Sequence, residues 1–348
     1  MEPDETRRLV EQLEAVTARL EDVEAALREQ AEAGTTTGVR ARLRAWATPR
    51  LGELRQHAPE PLRVPSAYLR TDPPSPAPRI SLVTPSFRHG RFLERTLYSV
   101  VSQGYPELEY FVQDGGSDDE TVEVLRRHEG SLAGWASEPD GGQADALNRG
   151  FARCSGEIMA YLNSDDLLLP GSLAHVASYL ASHPEVDAVY GQRVLIDERD
   201  RQVGIWVTPP HDDRVLDLGD FVPQETLFWR RRAWEAAGGR MDDGFQYALD
   251  WDLLLRLRDS GARIVRLPRF LGAFRVHDEQ KTLAGGNARD AESDRLRRRL
   301  QGRPMSGDEA YARLRPFMRR HVLHHTLARA AARVPRPRIE VRTVPPEE

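Results

Sequence analysis

Apolar positions recur with different periods along this chain, and the changes of period divide it. In residues 1–33, Leu9, Leu13, Val16, Leu20, Val23 and Leu27 follow one another at alternating spacings of four and three, with charged residues filling most of the gaps. That is a heptad seam, and it predicts a helix with an apolar stripe that needs cover. A homo-oligomeric coiled coil through residues 9–27 supplies the cover, and a solvated or docked helix is the plainer alternative. Over residues 34–78 the periodicity is lost. Gly34 and Gly38 end the helix, an Arg-rich stretch carries Leu43, Trp46, Leu51 and Leu54, and prolines crowd residues 58–78. This stretch reads as an extended linker.

From residue 79, short apolar runs alternate with stretches of helical period, which predicts an α/β domain over residues 79–285 built on a mostly parallel sheet. Strands are expected over 80–84, 108–112, 132–136 and 158–162, with helices over 92–103, 121–128 and 143–152. The second half is less regular. Strands are expected at 188–190, 193–196, 203–207, 226–229, 262–267 and 271–274, a short helix at 233–237, and a longer one over 249–257 with Leu253, Leu254 and Leu257 inward. Residues 286–335 read as Arg-rich helices and 336–348 as a Pro-rich, disordered tail.

The polar residues at the strand ends carry the candidate chemistry. The apolar run 158–162 breaks into Asn163-Ser164-Asp165-Asp166. Adjacent carboxylates repel each other, and a hard divalent cation is the usual reason to keep them at the end of a buried strand. Such strand ends are also where open α/β sheets bind ligands. By itself the tetrapeptide is better read as an Asx turn capping the next helix. Two earlier strand ends are also polar, Thr84-Pro85-Ser86 and Gln113-Asp114-Gly115-Gly116-Ser117-Asp118-Asp119.

Taken in order, these segments resemble the inverting glycosyltransferases of family 2, which have the GT-A fold. Ser81 to Ser86 is similar to that family's first strand and nucleotide loop, and Gln113 to Asp119 to its second acidic loop. Asp140 to Gly150 and Leu162 to Asp166 resemble its central pair, the latter being the DXD-type metal motif with Asn163 where many members have aspartate. Ala248 to Leu257 is similar to the segment with the general base, although Leu249 stands where others have glutamate. Phe274 to Thr282 resembles a closing motif.

The resemblance implies transfer of a sugar from a nucleotide-diphosphate sugar to an acceptor hydroxyl, with Mg²⁺ or Mn²⁺ offsetting the charge of the departing diphosphate. It implies metal ligands Asp165, Asp166 and His277. It assigns donor contacts to Thr84, Pro85, Ser86, Asp114, Asp140, Gln143, Asn148, Asn163, Ser164, Asp165, Arg275 and Lys281. Asp250 is the implied base, with Asp252 its rival in the same segment. Lys281 is the only lysine in a chain that otherwise uses arginine, which suits a compact ammonium on a diphosphate.

Composition narrows the alternatives. A formal net charge of −5 argues against a general nucleic-acid binder, and the single cysteine, Cys154, excludes internal disulfides and a cysteine-based zinc site. No apolar run approaches the ~20 residues of a membrane-spanning helix. The acidic N-terminus is unlike a signal peptide, so a cytoplasmic location is expected. The Arg-rich C-terminal helices, with Leu323 and Leu327, suit peripheral contact with an anionic membrane bearing a lipid-linked acceptor, or packing on the domain. A nucleotidyltransferase, or a coiled-coil scaffold with an inactive domain, remains as an alternative reading.

Overall fold

The computed structural model describes residues 54–280, 286–332 and 337–344. The heptad seam and Lys281 lie outside the described residues. The chain enters through β1 (Arg63–Pro65) and a short 3₁₀ turn, then forms β2 (Ile80–Ser86), α1 (Gly90–Val101), β3 (Leu108–Asp114), α2 (Thr121–His128), β4 (Gly134–Ser137), α3 (Gln143–Phe151) and β5 (Ile158–Tyr161). These four strands from β2 to β5 are parallel neighbours in the order β4-β3-β2-β5. Strict alternation fixes their two faces. Ile158, Ala160 and Leu162 turn toward α1, whereas Met159 and Tyr161 turn toward α3, as the period-2 geometry of a strand requires.

The rest of the sheet is mixed. After β6 (Leu167–Leu168) and α4 (Ser172–Ser182) come β7 (Ala188–Ile196), β8 (Gln202–Trp206), a one-turn α5 (Asp213–Leu216), β9 (Phe228–Arg230), α6 (Arg231–Ala236), α7 (Leu249–Asp259) and β10 (Ile264–Arg275). β9 joins β5 to β7 antiparallel to both, β10 runs parallel to β7, and β6 closes the edge antiparallel to β10. The chain continues through α8 (Gly286–Gln301), α9 (Gly307–Ala332) and β11 (Arg338–Glu340).

Several expectations are corrected. The strands read at 188–190 and 193–196 are one, as are those at 262–267 and 271–274. Gly191-Gln192 and Pro268-Arg269 look like breaks, but β7 and β10 pair across them with register shifts between residues 266 and 272. The strand expected at 226–229 begins only at Phe228, after a 3₁₀ turn over Gln224–Thr226. The tail expected to be disordered contains β11, which pairs with β1 from the stretch expected to be a linker. Leu62 and Val64 pack there against Leu167, Val194 and Ile196, so burial rather than local propensity holds these Pro-rich segments. Helix α9 docks on the domain by Phe317, whose ring lies 4.8 Å from that of Phe221, and by His321, 5.0 Å from Trp206.

Candidate active site

The C-terminal ends of the parallel strands open into a cleft of about 580 Å³. Register decides what reaches it: Ser86, Asp114 and Ser137 lie side by side at the ends of β2, β3 and β4, and β5 ends level with Val83. Phe87, Pro139, Ala146 and Phe274 form apolar wall, while Ser86, Asp140, Gln143, Asn163, Ser164 and Asp165 supply the polar lining. Phe87 is 54% exposed, and the Ser86 hydroxyl is buried with no hydrogen-bond partner. An aromatic face and an unsatisfied hydroxyl in one concave site suit a ligand with a flat ring and polar edges.

Beside this cleft, potential ligand atoms of His89, Asp165 and His277 all lie within 4.8 Å of one another. His277 Nε2 is 3.0 Å from Asp165 Oδ2, and His89 Nδ1 is 2.8 Å from the Ser164 hydroxyl. Burial opposes the charge on Asp165, but the hydrogen bond with His277 and the nearby His89 and His277 rings hold its carboxyl below the ordinary aspartate range. Asp166 goes the other way. Burial, then the charges of Asp165 and Glu225, push it well above that range. The adjacent carboxylates are thus driven apart, and only Asp165 belongs to the cluster. Two imidazoles and one carboxylate are a chemically sound donor set for a divalent transition ion.

His89 was not among the residues singled out from sequence. It follows Arg88, which sits at φ 55°, an uncommon conformation for a side chain other than glycine. Neither feature is legible in the sequence, because the histidine lies 76 residues before Asp165.

Other expected site residues have structural tasks. The Thr84 hydroxyl faces the core and lies 2.9 Å from the Tyr110 hydroxyl. Asp114 is fully buried. Its carboxylate accepts from the backbone N–H groups of Gly116 (3.1 Å) and Ser117 (2.8 Å) and from the hydroxyls of Ser117 and Ser137 (2.6 Å each). It therefore shapes the loop whose Gly115 lines the cleft, and Gly116 completes the turn at φ 82°. Asp166 accepts from the Arg275 backbone N–H at 2.9 Å.

Arg275 is itself fully buried, donating to the carbonyl oxygens of Asp165 and Asp197 and pairing with Asp200. It clamps the acidic turn from behind. Asn148 exchanges two hydrogen bonds with the Met241 backbone, at 2.8 and 3.1 Å. Asn163 stands in an amide relay, accepting from Gln143 (2.8 Å) and donating to Gln224 (3.2 Å), which in turn donates to the Tyr161 carbonyl (2.8 Å).

Asp250 and Asp252 both lie in the first turn of α7 but differ in surroundings. Asp252 is fully buried between Arg256 (2.7 Å) and Arg299 (2.9 Å). Asp250 is partly exposed, and its carboxylate accepts from the Trp251 backbone N–H at 3.0 Å. Its charge is felt at the strand end above the acidic turn. Burial pushes the Tyr161 phenol far above its ordinary range, and Asp250, Asp220, Asp166 and Glu225 push it further in the same direction.

Comparison with known proteins matches part of this sequence to a described family. The sequence model "Glycosyl transferase family 2" matches residues 81–234. An uncharacterized glycosyltransferase of Mycobacterium tuberculosis is 34% identical over 186 residues, covering 52% of this chain and 69% of that protein. The O-antigen biosynthesis protein RfbC of Myxococcus xanthus is 32% identical over 212 residues; the match covers 60% of this chain but only 16% of RfbC. Among solved structures, a mannosyltransferase from Pyrobaculum calidifontis in complex with GDP-Man and Mn²⁺ superposes with a TM-score of 0.51 at 21% identity, covering 84% of this chain and 80% of that one. The last likeness places the fold in the GT-A-like group.

Proposed function

The chain belongs to glycosyltransferase family 2, and from that premise we propose that it transfers a sugar from a nucleotide-diphosphate sugar to an acceptor hydroxyl with inversion, in the assembly of a surface polysaccharide or glycoconjugate. The observation that carries this reading is the meeting, at one sheet edge, of an apolar-walled cleft with the His89–Asp165–His277 cluster. The proposed base, Asp250, is near enough to Tyr161, at the end of the strand that precedes Asp165, for its charge to raise that phenol further.

In this reading Phe87, Pro139 and Ala146 receive the flat base, while the Ser86 hydroxyl and the Asp140 carboxylate are the polar contacts for base and ribose. Gln143 fixes Asn163, which presents its amide to the sugar-diphosphate. Asp165, His89 and His277 would hold the divalent ion, and such an ion would supply the positive charge that stabilises a departing diphosphate. With two imidazoles in the set, Mn²⁺ is a better match than Mg²⁺, which prefers all-oxygen coordination. Asp114, Asp166 and Arg275 shape the turns, and Asn148 anchors the loop that leads to α7. Lys281, beyond the described residues, remains a proposed diphosphate contact.

Asp250 would take the proton from the acceptor hydroxyl as it attacks the face opposite the leaving group. Asp252 is unsuited to that role, because both its oxygens are already engaged by arginines. The acceptor is a saccharide or a lipid-linked saccharide. Among the described residues no helix is long and apolar enough to cross a membrane.

The test is calorimetry with UDP and GDP in the presence of Mn²⁺, followed by release of the diphosphate from the matching nucleotide sugars. Binding without any turnover across donors would favour an inactive domain, and no binding of either diphosphate would remove the donor assignment.

A further inference from the structure

The residue before the first turn of helix α7, Ala248, has no side-chain acceptor and so makes no cap of its own. The N–H groups at a helix start need partners from elsewhere. Here the Ala248 N–H, with those of the two residues before it, finds one far along the chain. The Glu292 carboxylate of α8 accepts from three consecutive backbone N–H groups, Gln246 (2.9 Å), Tyr247 (2.8 Å) and Ala248 (3.0 Å). The same face of α8 makes further contacts with the segment. The Arg295 guanidinium lies 3.9 Å from the centre of the Phe245 ring, Leu296 is fully buried in the core, and Arg299 reaches Asp252 at 2.9 Å. Positions 292, 295, 296 and 299 follow the spacing of one helical face.

We infer that Glu292 is a positioning residue for the acceptor-side base: by capping residues 246–248 it fixes the end of α7 on which Asp250 stands. This rests on the reading of Asp250 as base. A carboxylate accepting three N–H groups is a charge-assisted cap, and Asp250 lies two residues beyond the last of them. Loss of the cap frees the first turn to fray, and a base displaced by about 1 Å can lose on the order of 100-fold in rate. The donor side is held independently, by the turns of Asp114, Asp166 and Arg275, so donor binding does not depend on Glu292.

The experiment uses the full chain with Glu292→Ala and Glu292→Gln. The glutamine keeps the shape and one acceptor oxygen. Hydrogen exchange, which needs no ligand, reads the clamp: exchange at the amides of residues 246–248 should rise at least ~10-fold in Glu292→Ala and less in Glu292→Gln. Release of diphosphate from UDP- and GDP-sugars reads the consequence. kcat should fall ~10- to 100-fold in the alanine variant, with partial recovery in the glutamine variant and Mn²⁺-dependent UDP or GDP binding unchanged within about twofold. Unchanged exchange at these amides overturns the clamp, and so does faster exchange with unchanged kcat. An equal loss of kcat and diphosphate affinity in Glu292→Gln would reduce the residue to a stability role. Asp250→Asn with wild-type turnover would instead overturn the base assignment, leaving the exchange result intact.

Discussion

The same isosteric change made two residues apart should give opposite phenotypes. Asp252 is fully buried, with one oxygen 2.7 Å from Arg256 and the other 2.9 Å from Arg299. Asp252→Asn removes the charge that two guanidinium groups share and leaves one acceptor oxygen. A hydrogen bond to a charged group is worth about 1.5–3 kcal/mol, so losing one such bond and weakening the other should cost roughly 2–4 kcal/mol. The partly exposed Arg299 side chain can turn to solvent, which argues for the lower half of that range. Asp250→Asn, in contrast, removes a first-turn carboxylate worth about 0.3–1 kcal/mol through the helix dipole.

Catalysis should sort the other way. Loss of a general base should lower kcat by about 10²- to 10⁴-fold in Asp250→Asn, whereas Asp252→Asn should keep turnover per folded molecule within a few-fold. Urea unfolding of both variants, with kcat normalised to the folded fraction, separates the two effects. An Asp250→Asn variant as unstable as Asp252→Asn but catalytically intact would refute the reasoning, since the more exposed carboxylate would then be the structural one.

Chelation with EDTA should abolish transfer, and Mn²⁺ should restore it at lower concentration than Mg²⁺; His89→Ala should weaken Mn²⁺ binding by calorimetry, about 10-fold or more, without loss of fold. Burial, with His325 and His324 nearby, lowers the His321 imidazole to about 4. The unfolded chain therefore takes up this proton near pH 6.5 and the folded chain only near 4, so stability should fall as pH drops across that window. His321→Phe should flatten the loss by up to roughly 3 kcal/mol in pH-dependent unfolding. Burial also raises the Cys154 thiol to about 12, so a thiol-reactive disulfide reagent at pH 8 should label it only after denaturation. A Cβ at Gly150 would stand 2.4 Å from Val83 Cγ1, so Gly150→Ala should cost about 1–3 kcal/mol, read as a lowered Tm.

Local pattern was enough for the first half of the domain. The runs that became β2, β3 and β5 are short, apolar and bounded by turn residues, and each strand of a parallel sheet buried on both faces announces itself in that way. The sequence also determined that carboxylates and amides stand at the strand ends, because a polar group at the end of a buried run has nowhere else to go. Orientation was left open. Thr84, Asp114, Asn148, Asp166 and Arg275 sit in the expected segments, yet each is turned inward to satisfy a neighbouring backbone or side chain, and one residue of register decides between core and cleft.

Only the tertiary structure brought His89 to Asp165 and His277, and only it separated Asp250 from Asp252, since partners such as Arg299 and Glu292 lie more than forty residues away. It also turned Pro-rich segments with no periodicity into β1 and β11, which pair with each other while Leu62 and Val64 are buried against the sheet. Periodicity reports on neighbours along the chain, whereas a site is made by neighbours in space.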